Sequence, residues 1–144
     1  MKIELDEALC KDFPNLYKDR RTRGTCMVFG LDVGDGWEPI VRELSEKLEK
    51  LILEAPEDLR GSYYASQVKE KFGGLRFYMA GSTSEMESAI DEAEEACSKV
   101  CETCGAPGKI HHDGWSRTNC DACNAAYVNA RMVRETANKD PNDE

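Results

Sequence analysis

The chain has 144 residues, of which 40% are hydrophobic and 33% charged, and its formal net charge is −9 at pH 7. This balance is typical of one globular domain, and the negative charge argues against non-specific binding to nucleic-acid phosphates. No apolar run approaches the roughly 20 residues that span a bilayer, and the N-terminus lacks the apolar core of a signal peptide. Seven cysteines, an odd number, fit a reducing compartment, so we expect a cytoplasmic protein without a membrane partner.

The first 24 residues form an N-terminal segment in which a short amphipathic piece precedes a basic run. Apolar residues between Ile3 and Phe13 can form one side of a helix, which Pro14 breaks or restarts. Residues 18–23 are mostly basic. A solvated linker and a contact surface for an acidic partner both account for this run.

Residues 25–100 are expected to form an α+β core that begins with a turn and a long helix. In the turn, Asp35 is the predicted helix cap, and Pro39 suits the first helical turn. Apolar residues recur at i, i+3, i+4 and i+7, which predicts an amphipathic helix over residues 36–54 with Glu49 on its polar face.

The next predicted element is a β-hairpin over residues 62–80, with Gly73 and Gly74 as the turn. Its exposed face would carry cationic and aromatic side chains: Lys69, Lys71, Arg76 and Tyr78. Pairing with Glu70 or with the following acidic helix explains these charges without a ligand. The alternative is a surface that binds single-stranded nucleic acid.

A second amphipathic helix is predicted over residues 84–100, begun by a capping box of Ser84 and Glu87. Its outer face is strongly acidic and includes Glu92 and Glu95. Such a face is commonly a solvated surface. It could also dock a basic protein or imitate the charge of a nucleic acid.

Two Cys-x-x-Cys pairs, separated by fifteen residues, carry the clearest chemical signal: Cys101, Cys104, Cys120 and Cys123. This spacing predicts a zinc ribbon that holds one tetrahedral Zn²⁺ over residues 101–138, with a C-terminal helix from Asp121. Four thiolates fill the coordination sphere, so the ion would be structural rather than catalytic. Residues 139–144 are expected to form a polar tail.

Other candidate residues lie between the two cysteine pairs. His111 and His112 are expected to face solvent or to orient a thiolate, because four cysteines already suffice as ligands. Trp115 is expected to pack over the ribbon, or else to anchor a partner or stack on a base. Trp115 and Arg117, together with the basic hairpin, motivate a nucleic-acid-binding hypothesis.

A metal-dependent nuclease is a further hypothesis. Asp32, Asp35 and Asp58 would bind Mg²⁺ beside the strand lysine Lys69. The usual pattern has an acid two residues before that lysine, where this chain has Gln67. We see no nucleophile–base pair or phosphate-binding loop, so the sequence favours binding over catalysis.

Three segments together resemble a family of small zinc-ribbon proteins of bacteriophages and prophages, whose function is unassigned. They are Gly34-Asp35-Gly36-Trp37, residues 67–78 (QVKEKFGGLRFY), and the cysteine motifs over residues 101–123. The resemblance implies a phage-type protein of the bacterial cytoplasm, with no catalytic residues to transfer. We expect a protein that binds a macromolecular partner and inhibits a host function such as defence, with nucleic-acid binding as the alternative.

Overall fold

The computed structural model describes residues 1–138, and the predicted tail lies outside them. Within this range the chain is α+β, as predicted, with five helices and two small antiparallel hairpins. The helices are α1 (Ile3–Asp12), α2 (Glu38–Glu54), α3 (Glu57–Arg60), α4 (Ser84–Cys97) and α5 (Asp121–Ala137). The strands are β1 (Ala65–Lys71), β2 (Gly74–Met79), β3 (Lys109–His111) and β4 (Arg117–Asn119). Short 3₁₀ turns cover Cys26–Phe29 and Asp35–Trp37.

One hydrophobic core joins α1, α2, the β1–β2 hairpin and α4. Leu9 of α1, Leu48 of α2, Leu75 of β2 and Met86 of α4 are all fully buried in it. Burying each such side chain contributes about 1.5–3 kcal/mol, so this core is the main source of stability for the elements that share it. Residues of the N-terminal segment are part of the same core.

Helix α2 has the apolar stripe that its periodicity predicts, but one polar residue is not where expected. Glu49, predicted on the outer face, is only 8% exposed. Its carboxylate accepts hydrogen bonds from the backbone N–H of Leu16 at 2.8 Å and from the Asn15 side-chain amide at 2.7 Å. Buried charge requires such donors, so Glu49 fixes the chain that follows Pro14 against α2.

The β1–β2 hairpin lies within the predicted range, but the predicted turn is wrong. Lys71 pairs with Gly74, so the two turn residues are Phe72 and Gly73. Both have positive φ, 54° and 81° respectively, as a two-residue turn of this kind requires. Bulky residues rarely adopt such a φ, so Phe72 carries backbone strain while its ring is 67% exposed.

Two helices begin differently from the predicted caps. Asp35 does not cap α2; its carboxylate accepts a hydrogen bond from the backbone N–H of Lys2 at 2.8 Å. At α4 the cap is Thr83 rather than Ser84, and its hydroxyl accepts from the Met86 N–H at 3.3 Å. Adjacent Ser, Thr and Asp side chains can all accept hydrogen bonds from the free N–H groups at a helix start. The local sequence does not decide which of them becomes the cap.

Helix α5 is unlike the other long helices, because none of its residues is buried. Met132 is 59% exposed and Val133 is 67% exposed. Helix α4, of similar length, buries four residues in the core. Within residues 1–138, no helix is both long enough and apolar enough to cross a membrane.

Candidate metal centre

The four cysteines converge at the junction between α4, the β3–β4 hairpin and α5. Their sulfur atoms all lie within 4.8 Å of one another, and Cys104 Sγ is 3.7 Å from Cys120 Sγ. Cys101 is buried beside the core, whereas Cys104 is exposed. Four convergent sulfur ligands at these distances could hold one metal ion.

Each pair of cysteines is shaped by its own backbone. In the first, the Gly105 N–H donates to the Cys101 carbonyl at 2.9 Å, and the Cys101 N–H donates to the Ala106 carbonyl at 2.7 Å. Gly105 has φ +80°, which closes this tight turn at little steric cost. In the second, Cys120 caps α5 and its sulfur accepts from the Cys123 N–H at 3.4 Å. The two sulfur atoms of each pair are therefore directed towards the point where all four sulfurs converge.

The thiols of the cluster differ in how readily they lose a proton. Burial by itself raises the pKa of Cys101, but hydrogen bonds from the backbone amides of Cys120, Cys104 and Thr103 outweigh it and lower that pKa to about 6. Side-chain hydrogen bonds with Cys120 and Cys104 raise the pKa of Cys123 to about 12. The cluster therefore combines one ready thiolate with a thiol that must release a proton when a metal binds.

The first cysteine turn is docked on the start of α2. The Gly36 N–H donates to the Glu102 carbonyl at 2.7 Å, and the Trp37 indole Nε1–H donates to the Val100 carbonyl at 2.8 Å. A Cβ at Gly36 would overlap the Cys101 carbonyl oxygen and lie 2.6 Å from that of Glu102. Only glycine allows this approach, so the cysteine cluster and the hydrophobic core are directly joined.

The Glu102 side chain makes a second connection to the same turn. Its carboxylate accepts the Gly34 N–H at 2.9 Å. Burial raises the pKa of the Glu102 carboxyl group, and the Gly34 hydrogen bond partly offsets that rise. These interactions were not predicted from the sequence, although two glycines before a tryptophan were a signal of close backbone approach.

Strand β4 supports the cluster from the other side, through two residues that were not predicted to take part. The buried Asn119 carboxamide lies 3.5 Å from Cys101 Sγ, and its oxygen accepts from the Thr103 hydroxyl at 3.2 Å. The buried Thr118 hydroxyl donates to the Gly73 carbonyl at 2.6 Å, which ties β4 to the β1–β2 turn. No spacing signal marks either residue.

The two histidines lie beside the cysteine cluster and outside it. Half-buried His111 places Nε2 3.1 Å from the Asn119 carbonyl oxygen, one residue before Cys120. Exposed His112 places Nδ1 3.1 Å from the Ser116 hydroxyl. Neither histidine belongs to the convergent ligand set, which comprises only cysteines.

Arg117 is placed differently from an exposed contact residue. Its side chain is 7% exposed, and its guanidinium donates to Asp113 at 2.8 Å and to Asn124 at 2.5 Å. The guanidinium carbon lies 3.7 Å from the centroid of the Tyr127 ring. Arg117 therefore joins β4, the loop after β3 and α5, and its charge is used within the molecule.

Trp115 is exposed rather than packed over the hairpin. Its side chain is 68% exposed, although its backbone carbonyl accepts from Arg117 Nη1 at 2.7 Å. The loop is therefore held in place while the indole ring faces solvent. Trp115 therefore does not pack over the ribbon. Its role in anchoring a partner or stacking on a base stays a prediction.

Lys69 and Arg76 face each other across the β1–β2 hairpin. The register places both on the face opposite Val68 and Phe77, which are buried. Neither cation forms an ion pair with another residue in the range 1–138. The expected pairing with acidic neighbours is therefore not formed, and two like charges lie together.

The acidic face of α4 is exposed but partly neutralised. Glu95 pairs with Lys99 at 2.8 Å, which lowers the pKa of the Glu95 carboxyl group. Glu92 lines a groove with Lys47 and Lys50 of α2, but these lysines pair with Glu43 and Glu54 of their own helix. Apart from Glu95, the outer face of α4 therefore keeps its acidic character.

The three acids of the nuclease hypothesis are not gathered around one point. Asp32 pairs through its backbone with β1 beside Lys69, Asp35 contacts Lys2, and Asp58 lies in α3. Within residues 1–138, the four cysteines are the one group of three or more potential ligands that converge closely enough for a metal. The acids therefore form no comparable site in that range.

No protein-family model, curated protein or solved structure matches the chain. Functional inference therefore depends on the residues themselves. They give a four-cysteine cluster that could hold a metal, joined to a hydrophobic core and followed by an exposed helix.

Proposed function

We propose that this chain is a zinc-binding protein that acts by binding a protein partner, and that it belongs to the phage and prophage zinc-ribbon proteins that it resembles. Four thiolates are a preferred ligand set for tetrahedral Zn²⁺, and the β3–β4 hairpin between the cysteine pairs suits a ribbon. A closed set of four protein ligands leaves no position for substrate, so zinc would stabilise the fold. The proposed site of action is the bacterial cytoplasm, where thiols stay reduced.

The observation that carries this proposal is the exposure of α5. Most of the stability of helices in proteins comes from packing an apolar face against other elements rather than from intrinsic helix propensity. Helix α5 has 17 residues and buries none of them. A partner that covers its apolar side chains would supply the missing packing.

The side chains of α5 indicate the chemistry of the partner. Ala126, Ala130 and Val133 follow i, i+4, i+7 spacing and are exposed along one side of the helix. Such a face fits into an apolar groove, with the small residues allowing close approach. Trp115, in the loop before β4, offers a large exposed anchor nearby in the chain. We propose that the partner presents this groove and that its occupation inhibits a host protein, such as one used in defence.

The proposal is tested by isolating the partner from a bacterial host. A tagged chain would be expressed and purified gently, co-purifying proteins would be identified by mass spectrometry, and the absorbance ratio at 260 and 280 nm would be measured. We expect one stoichiometric host protein and a zinc content near one ion per chain. The reconstituted complex would then be measured by calorimetry.

Two matched variants decide whether α5 is the contact surface. Val133→Asp places a charge on the exposed face of α5, whereas Leu53→Asp makes the same change at a side chain 50% exposed on α2. We expect the first variant to lose the partner and the second to retain it, with zinc bound in both. Retention of full affinity by Val133→Asp, or the absence of any protein partner, would refute the proposal.

Nucleic-acid binding is the second candidate, because one observation favours it. Lys69 and Arg76, which form no ion pair within the described part of the chain, lie on the same hairpin as the exposed aromatic rings of Phe72 and Tyr78, and Lys71 lies 5.5 Å from the Phe72 ring. Cations beside stacking aromatics are typical of single-strand binding. A gel-shift assay should then show binding that weakens with salt and disappears in Lys69→Gln/Arg76→Gln. A salt-insensitive or absent shift would remove this candidate.

A further inference from the structure

A cavity of about 540 Å³ lies between α1, the chain that follows it and the 3₁₀ turn Cys26–Phe29. Four cationic side chains line it: Lys11, Arg20, Arg21 and Arg23. Two carboxylates, Asp6 and Glu7, also line it. A local excess of positive charge is unexpected in a chain whose net charge is −9. Clefts that gather charge of one sign attract ligands of the other sign.

One wall of this cavity is firmly built. Arg20 Nε donates to Asp6 at 2.6 Å, and Arg20 Nη1 donates to the Val28 carbonyl at 3.2 Å. The second oxygen of Asp6 accepts the Leu31 N–H at 2.7 Å. Asp6 is nearly fully buried, and its charge is satisfied by these donors. It therefore does little to neutralise the other cations.

The remaining cations are weakly engaged. Arg21 lies 3.8 Å from Glu7, in an exposed pair that contributes little. Lys11 and Arg23 form no ion pair with any residue in the described range. Three long side chains can therefore turn towards an anion that enters the cavity. Arginine is well suited to phosphate, because its planar guanidinium can donate two parallel hydrogen bonds.

The cavity also has an apolar side. Val28 lines it and is 39% exposed. Cys10 contributes a half-buried thiol beside Asp6. The exposed Val28 side chain can pack against the flat face of a heterocycle. The volume falls in the range of about 300–1,000 Å³ that is usual for small-molecule sites.

We propose that this cavity binds a phosphate-bearing nucleoside, with the phosphate at Lys11, Arg21 and Arg23 and the base against Val28. Free nucleotides and the 5′-phosphorylated end of a nucleic-acid strand share this chemistry. The site is separate from α5 and from the cysteine cluster. It is therefore independent of the proposed function, and each proposal can fail alone.

Calorimetry on the zinc-loaded full chain tests the site with three probes: adenosine diphosphate, inorganic pyrophosphate and adenosine. We expect adenosine diphosphate to bind more tightly than pyrophosphate, and adenosine not to bind. Lys11→Gln/Arg23→Gln should weaken adenosine diphosphate binding by about tenfold for each charge-assisted hydrogen bond that the substitutions remove. Lys47→Gln/Lys50→Gln removes the same charge from the α2–α4 groove and should leave the affinity unchanged.

Chemical-shift mapping of the unmodified protein gives a measurement that does not depend on the folding of a variant. Adenosine diphosphate should shift the methyl resonances of Val28 and leave those of Val133 in place. A second outcome is that a 5′-phosphorylated oligonucleotide binds where its 5′-hydroxyl counterpart and the free nucleotide do not. That result would support the site and identify its ligand as the phosphorylated end of a strand. The absence of all phosphate binding, or equal loss in both double variants, would overturn the proposal.

Discussion

Residues 1–100 and residues 101–138 are stabilised by different kinds of interaction. Every residue of the buried hydrophobic core lies in the first region. In the second, the buried side chains are Cys101 and the polar residues Arg117, Thr118 and Asn119. Apolar burial therefore stabilises the first region, whereas convergent sulfurs and buried hydrogen bonds stabilise the second. A small region without its own core needs such support.

The two regions also differ in charge. Residues 101–138 contain four basic and four acidic side chains, whereas the whole chain has a net charge of −9. The acidic charge is thus carried mainly by the first region, where it surrounds a buried core. The second region is neutral and exposes Trp115, Met132 and Val133. A neutral surface with exposed apolar groups is better suited to contact with another protein.

The regions meet at two places, each held by hydrogen bonds. Gly36 and Trp37 donate to the chain around Cys101, and Thr118 donates to Gly73 at the tip of the first hairpin. These hydrogen bonds connect the cysteine cluster to the core. Substitutions can perturb one region or both, and the expected effects range from loss of the metal to a change in thiol reactivity.

The largest effect is expected for Cys120→Ser. Removal of one ligand should release the proposed zinc and disorder α5, while residues 1–100 stay folded on their core. Structural zinc contributes on the order of 10–16 kcal/mol in small zinc domains, so little order should remain around the cluster. Metal analysis and amide hydrogen exchange would measure both results. Cys26→Ser, at an exposed cysteine outside the cluster, is the control. Simultaneous unfolding of the core would contradict the division into two regions.

Gly36→Ala should affect both regions at once. A Cβ at this position meets backbone atoms of Cys101, Glu102 and Gly105, which cannot move away as a flexible side chain could. We expect a decrease of about 1–3 kcal/mol in stability to denaturant, together with weaker metal retention against a chelator. Gly61→Ala is the matched control, because nothing lies within 4 Å of its added Cβ. Equal stability of the two variants would exclude close docking at Gly36.

Arg117→Ala should loosen α5 and leave the core unchanged. It removes hydrogen bonds to Asp113 and Asn124 and the interaction with the Tyr127 ring. We expect the free energy of opening that amide hydrogen exchange reports for α5 to fall by about 1–3 kcal/mol. Arg134→Ala, which removes an exposed arginine on the same helix, should change α5 protection much less. Identical protection in both variants would show that Arg117 does not position α5.

The smallest effect concerns the reactivity of cysteines outside the cluster. Burial raises the pKa of Cys97 to about 12, and burial together with the Asp6 charge raises that of Cys10 to about 12. A raised pKa leaves less thiolate at a given pH, so both should react slowly with iodoacetamide at neutral and mildly alkaline pH. Exposed Cys26 should react first. Mass spectrometry of timed samples would measure the order, and fast labelling of Cys97 would show that the core opens readily.

Much of the fold and of the metal centre could be predicted from local patterns. The apolar period of α2 and α4, the alternation of β2 and the spacing of the cysteine pairs depend on residues a few positions apart. The turn at Phe72 and the cap at Thr83 were missed because neighbouring residues had equal or better local propensity. The register of the whole hairpin and the packing of α4 decided those positions.

The sequence by itself determined the α+β class, the approximate ranges of the main helices and the four cysteines that could hold a metal. Only the tertiary structure decided that Glu49 and Arg117 are buried, that Trp115 is exposed, and that Gly36 lies against Cys101. The physical reason is the distance along the chain. Apolar periodicity and the Cys-x-x-Cys motif can be recognised within a short stretch of chain, whereas burial depends on which distant segments supply donors, rings or backbone at the same point.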